Sequence, residues 1–228
     1  MESVHAGADR RQLVAVAVLG ALALLAFAKV GGDVHANETT AFDGAIRSWM
    51  TSHRSSGLFA FFYWVTTIGQ TRAMYGLALT ASLFLWYRER RRVAASVLIA
   101  PALAVAVYES VKRLYGRARP AGYAHVSDTS FSFPSAHSTA AAAVCCTLAY
   151  VLWREGLFGR AGAVMLGIVV PLLVGVSRVY LDAHWATDVL GGWSAGLFIA
   201  ALSASVYNRA RRGRRSEGGV ATRTPSVS

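Results

Sequence analysis

AGAVMLGIVVPLLVGVSRVYLDAHWATDVLGGWSAGLFIAALSASVY, residues 161–207, is two apolar runs with a polar joint between them. The runs, 161–177 and 188–207, carry almost no charge, and at about 1.5 Å per residue each is long enough to approach or cross about 30 Å of hydrocarbon. The joint from Ser177 to Asp188 holds an arginine, two carboxylates and a histidine. Charge at that density belongs at the end of a span and not within it.

Working outward, four more runs of the same kind lie near 12–30, 73–87, 93–111 and 136–153. A further stretch, 57–71, is aromatic and short, and reads as an interfacial or re-entrant helix. The expected fold is all-α: a polytopic membrane bundle of six transmembrane helices plus that short interfacial helix. The expected organisation is a cytoplasmic N-terminus (1–11), a single transmembrane domain (12–207) and a basic, disordered cytoplasmic tail (208–228).

Composition supports this. Of 228 residues, 54% are apolar and 21 more are glycine, while only 15% are charged, against about 25% in soluble domains. A net charge of +11 would suggest nucleic acid in a soluble protein. Here the arginines instead gather where apolar runs end, as in Arg88 to Arg92 and Arg209 to Arg215, which marks cytoplasmic flanks and excludes a nucleic-acid partner. Placing 1–11, 88–92, 154–160 and 208–228 inside puts 14 of the 23 basic residues there. Both termini are then cytoplasmic. Cys145 and Cys146 read as buried free thiols, and Pro101 and Pro171 as kinks inside their spans.

Three polar clusters remain, all at the outer ends of spans: Lys112 to Pro120, Pro134 to His137, and Ser177 to Asp188. Lys112, Arg119 and Arg178 together call for an anion, and two guanidinium forks with an ammonium suit a phosphoryl group. Ser135 and the backbone amide of Ala136 sit at a helix start, which favours the same anion. The chain has 21 arginines and only two lysines, Lys29 and Lys112, so the ammonium at 112 reads as selected by geometry. His184 and Asp188 are one helical turn apart, letting the carboxylate orient the ring as a nucleophile. His137, from another helix, would protonate a leaving oxygen. Arg113 and Arg117 are expected to face solvent or lipid headgroups, Asp182 to be a loop residue, and His5, His35, His53 and His125 to be incidental.

The strings Lys-x6-Arg-Pro, Pro-Ser-x-His and Arg-x5-His-x3-Asp resemble the signature of the type-2 phosphatidic acid phosphatase family, which includes lipid phosphate phosphatases and the vanadium haloperoxidases. The resemblance spans 112–188 directly. It implies a helical bundle and a phosphatase that needs no metal or other cofactor. It also implies His184 as nucleophile, Asp188 as its orienter, and His137 as general acid and then base. Lys112, Arg119, Ser135, Ala136 and Arg178 would hold the phosphate. The family usually has glycine where this chain has Ala136; just inside a helix start that position need not be left-handed, so activity should survive. The substrate expected is a lipid phosphate or diphosphate, such as phosphatidic acid, phosphatidylglycerol phosphate or undecaprenyl diphosphate, met at the outer face of a bacterial plasma membrane. A phosphotransferase with a non-water acceptor and a non-enzymatic lipid transporter are the alternatives.

Overall fold

The computed structural model describes residues 2–121 and 130–221; His125 and the last stretch of the tail, 222–228, lie outside the described residues. The chain runs through α1 (Glu2–His35), α2 (Thr40–Ser52), α3 (Ser56–Ile68), α4 (Thr71–Tyr87), α5 (Arg91–Tyr115), α6 (Ala136–Arg154), α7 (Arg160–Val164), a π-helical turn (Met165–Val169), α8 (Val170–Tyr180) and α9 (Ala186–Ala221). α9 continues through 208–221, where the sequence suggests a disordered tail; arginine, alanine and glutamate there are compatible with helix.

Among the described residues, five helical stretches are long and apolar enough to cross a membrane: Arg10–His35, Arg91–Tyr115, Ala136–Arg154, Arg160–Tyr180 and Ala186–Arg212. The sixth expected span corresponds to α4, whose 17 residues reach about 25 Å, roughly a turn short of the hydrocarbon thickness. The stretch expected at the interface is α3, which lies antiparallel to α8: Phe62 packs its ring, tilted, against Tyr180 at the C-terminal end of α8, and Gly69 after α3 meets Val174 further back along it.

α6 is the central helix. Ala140, Ala141, Ala142 and Ala143 are all buried, and α4, α5, α8 and α9 all pack around it. Small residues let backbones approach, which is how helices associate where burial against lipid gives little drive. On α9, Gly192 and Gly196 face this alanine-rich side. A Cβ on Gly196 would stand 2.7 Å from the Thr139 carbonyl oxygen and 2.9 Å from the Ala143 nitrogen. α1, by contrast, exposes Leu22 and Leu25 on the outside of the bundle, as a lipid-facing surface should.

Pro171 lacks the N–H that would bond the carbonyl of Gly167. The Cys146 thiol donates to that oxygen instead, at 3.0 Å, and the π-helical turn ends at Val169, two residues before the proline. Pro101 sits inside α5, which runs on unbroken to Tyr115. At the end of the bundle that holds the 88–90 and 155–159 loops, Glu155 accepts from Arg90 and, at 2.7 Å, from the Tyr207 hydroxyl. That ties two loops to α9. The opposite end gathers the C-termini of α5 and α8 with the N-termini of α6 and α9.

Because Gly196 opposes backbone, which cannot give way, Gly196→Val should destabilise the fold by roughly 1–3 kcal/mol. Its thermal midpoint in detergent should fall by about 5 °C. Gly76→Val, on α4 with open space around it, should melt near the parent.

Candidate functional site

Each polar cluster is delivered by a helix end. α5 closes with Gly116 in the left-handed region at φ +59°, its N–H bonded to the Lys112 carbonyl, a form of helix stop that glycine tolerates without strain. The chain then runs through 117–120 without regular structure, and Ser132 returns to donate its N–H to the Arg117 carbonyl at 2.8 Å. Ser135 caps α6, its hydroxyl accepting from the Ser138 N–H. Its own N–H donates to the Asp188 carbonyl at 3.0 Å, stitching the start of α6 to the start of α9. Between α8 and α9 the turn is made by Asp182 at φ +61°. The Arg178 carbonyl accepts from the N–H groups of Ala183 and His184.

These ends bring His184 and Asp188 together in a buried pair. His184 Nδ1 lies 3.3 Å from Asp188 Oδ2. The same carboxylate oxygen accepts from the Trp185 N–H at 2.9 Å and from the Ser132 hydroxyl, so Asp188 also completes the first turn of α9 in the manner of a capping carboxylate. On the other side of the ring, Arg119 Nη1 stands 3.1 Å from Nε2 and 2.9 Å from the Ala183 carbonyl. A guanidinium has donors only. Nε2 therefore accepts, and the ring proton sits on Nδ1, facing Asp188.

Of the anion-binding candidates, Arg119 meets Nε2 directly and Lys112 joins it through a shared partner. Lys112 Nζ and Arg119 Nη2 each donate at 3.0 Å to one oxygen, the Ser130 hydroxyl. Arg178 is buried, with Nη1 bonded to Thr66 of α3 at 2.7 Å. His137 occupies the second position of α6, within electrostatic reach of Arg178, His184, Arg119 and Lys112. Ala136 takes the first helical position, and positive φ occurs elsewhere, so this position does not call for glycine.

Arg117 does not face solvent or headgroups, as its sequence context suggests. It turns inward, its side chain only 17% exposed, and pairs with Asp43 and Asp188, each at 2.7 Å. Two buried carboxylates demand a counter-charge, and that demand overrides the usual preference of an arginine for water. Asp182 is indeed a loop residue, paired with Arg47 of α2 at 2.7 Å. Arg113 stays exposed beside Glu109. A cavity of about 630 Å³ opens behind the His184–Asp188 pair, lined by Thr40, Asp43, Arg47, Ser48, Arg117 and Trp185 among others.

The family model described as the PAP2 superfamily matches residues 93–212, more than half of the chain. The chain belongs to the PAP2 superfamily. It is 41% identical over 108 residues to phosphatidylglycerophosphatase B of Bacillus subtilis, covering 46% of this chain and 53% of that one. It is 28% identical over 135 residues to the undecaprenyl-diphosphatase of Sulfolobus acidocaldarius, covering 55% and 60%. The chain thus spans between half and two thirds of the length of these two relatives. Among solved structures, a PAP2-type phosphatidylglycerolphosphate phosphatase from Bacillus subtilis superposes with a TM-score of 0.74 at 30% identity, covering 81% of this chain and 94% of that one.

In this PAP2 chain the sequence motifs missed Ser130, Ser132, Thr66, Asp43 and Arg117. Ser130 and Ser132 stand close to the quoted motif Pro134 to His137, but a serine in a loop carries no pattern. Asp43 lies on a helix outside the matched residues.

Burial lowers the His184 ring to about 4; Asp188 works against this, and Arg178 and Arg119 reinforce it. Above pH 6.5 the ring is neutral folded or unfolded. Between 6.5 and 4 the unfolded chain takes up a proton that the folded one refuses, so stability is lost as pH falls through that window, by up to roughly 3 kcal/mol. Denaturation in detergent at pH 7 and pH 4.5 should show this loss, and His184→Asn should remove part of the slope.

Proposed function

We propose that this chain is an integral-membrane lipid phosphatase that hydrolyses a lipid phosphate or diphosphate through a phosphohistidine on His184, without a metal ion or cofactor. The observation that carries the reading is the direction of the His184 ring. Its proton is held towards Asp188 while the Nε2 lone pair meets Arg119, which shares the Ser130 oxygen with Lys112.

In the proposed reaction, a phosphoryl group enters beside Nε2 and its oxygens take over the donors of Arg119, Lys112 and Arg178. The Ser130 oxygen, gripped by both Lys112 and Arg119, illustrates the kind of acceptor these two donors suit. Ser135 and the N–H of Ala136 at the start of α6 add neutral donors and a favourable dipole. Nε2 attacks phosphorus in line, and the P–O bond to the lipid alcohol or lipid phosphate breaks. His137 gives its proton to the departing oxygen, then removes one from water. That water attacks the phosphohistidine, the P–N bond breaks, and inorganic phosphate leaves.

The substrate class follows from where the site lies. It occupies one end of the bundle, at the ends of apolar helices, so a lipid can keep its tail in the bilayer while the headgroup reaches the cations. The named activities of the relatives, on phosphatidylglycerophosphate and undecaprenyl diphosphate, support both mono- and diphosphates as candidates. With arginine-rich segments 88–92 and 208–215 inside, both termini are cytoplasmic and the site faces outward. α4 then serves as the sixth span. α3, with Phe59, Phe61, Tyr63 and Trp64 exposed, lies at the outer interface, where aromatic residues anchor.

His184→Ala should lower phosphate release from short-chain phosphatidic acid in detergent by at least about 1000-fold, with the variant still folded; comparable turnover would end the reading. Alkaline quenching during turnover of ³²P-labelled substrate should leave label on the parent and none on His184→Ala. Turnover should persist in excess chelator, and loss restored by a divalent cation would overturn the metal-free mechanism. A reporter fused after residue 215 should be active in the cytoplasm.

A further inference from the structure

Asp188 has two carboxylate oxygens with different tasks. Oδ2 is turned to the His184 ring and also accepts from Ser132 and from the Trp185 N–H. Oδ1 is held by Arg117 Nη1 at 2.7 Å. Anchoring Oδ1 fixes the rotation of the carboxylate about its last bond, and with it the direction in which Oδ2 meets the ring.

Arg117 is itself held from behind. The same Nη1 donates to the Thr187 hydroxyl at 2.8 Å, while Nη2 donates to Asp43 Oδ2 at 2.7 Å and to Thr39 at 3.1 Å. Its guanidinium also lies over the Trp185 ring, 5.7 Å from the centroid. Asp43, on α2, is buried and accepts two further bonds from Thr187, from its N–H at 2.9 Å and its hydroxyl at 2.6 Å. One planar fork thus joins a carboxylate of α2 to a carboxylate in the first turn of α9. An ammonium cannot reach two carboxylates with that geometry.

We propose that Arg117 is a positioning residue for the Asp188–His184 pair, and that α2, through Asp43, is the element that keeps Arg117 in place. The inference rests on His184 being the nucleophile. α2 is then part of the reaction machinery although none of its side chains touches the ring. Without Arg117, Asp188 keeps its bonds to Ser132 and Trp185 but is held through one oxygen only, and a ring that is less firmly oriented presents Nε2 to phosphorus less often. Substrate binding, which falls to the cations on the other side of the ring, is left intact.

The test uses the full chain in detergent, once phosphate release has been shown to depend on His184. Turnover that survives His184→Ala strikes at the nucleophile and so is separable from the outcomes below. Arg117→Gln should lower kcat by about 10- to 100-fold, the size of effect seen when a partner that orients a functional histidine from behind is removed. The inhibition constant for inorganic phosphate should stay within about threefold of the parent. Arg117→Lys, keeping the charge but not the fork, should recover at least about threefold of the kcat lost. Asp43→Asn should lower kcat by about 3- to 10-fold, again at unchanged phosphate inhibition. A folded Arg117→Gln with parental kcat overturns the proposal, as does phosphate inhibition that weakens in step with kcat. Should Arg117→Gln fail to fold, Asp43→Asn decides: folded with parental kcat, it overturns the role given to α2.

Discussion

A fully buried carboxylate organises this end of the molecule. Asp188 lies in the first turn of α9, and removing a charge from water in this way is costly unless donors replace the water. Four do so: the His184 ring, the Ser132 hydroxyl, the Trp185 N–H and the Arg117 guanidinium. They come from the turn before α9, the return segment before α6 and the strap after α5. Satisfying one charge therefore brings three separate pieces of chain to a common point. The Asp188 carbonyl adds a fourth tie by accepting from Ser135.

That convergence needs helices that can come close. α6 and α9 do so because alanines on one face glycines on the other, so their first turns meet without side chains to hold them apart. The same economy of volume leaves space for long polar side chains only at the helix ends. A bundle built this way is apolar along its length and charged at its tips, which suits the proposed lipid substrate, whose headgroup would enter while its tail stays in hydrocarbon.

Much of the fold was legible because its causes are local. Long apolar runs with arginine at their ends identify helices by length and hydropathy alone, and the stretch 161–207 folds within α7 to α9 with its polar joint as a buried turn. α4 reads less well: at 17 residues, composition leaves its length marginal. The motif residues were legible as well, since a lysine among arginines, a histidine one turn from an aspartate and a serine before a helix each carry a pattern of type and spacing.

The sequence by itself determined that the long apolar segments are helical, which of their ends are charged, and that cations and a His–Asp pair lie at a common end; it did not show α2 or the helix through 208–221. It determined these because helix periodicity and hydrophobic length act within a segment. Only the tertiary structure decided that Arg117 turns inward, that Asp43 of a helix far away in sequence partners it, and that the His184 proton rests on Nδ1. Each depends on which charges are buried together, and the energy of a buried charge is set by neighbours distant along the chain.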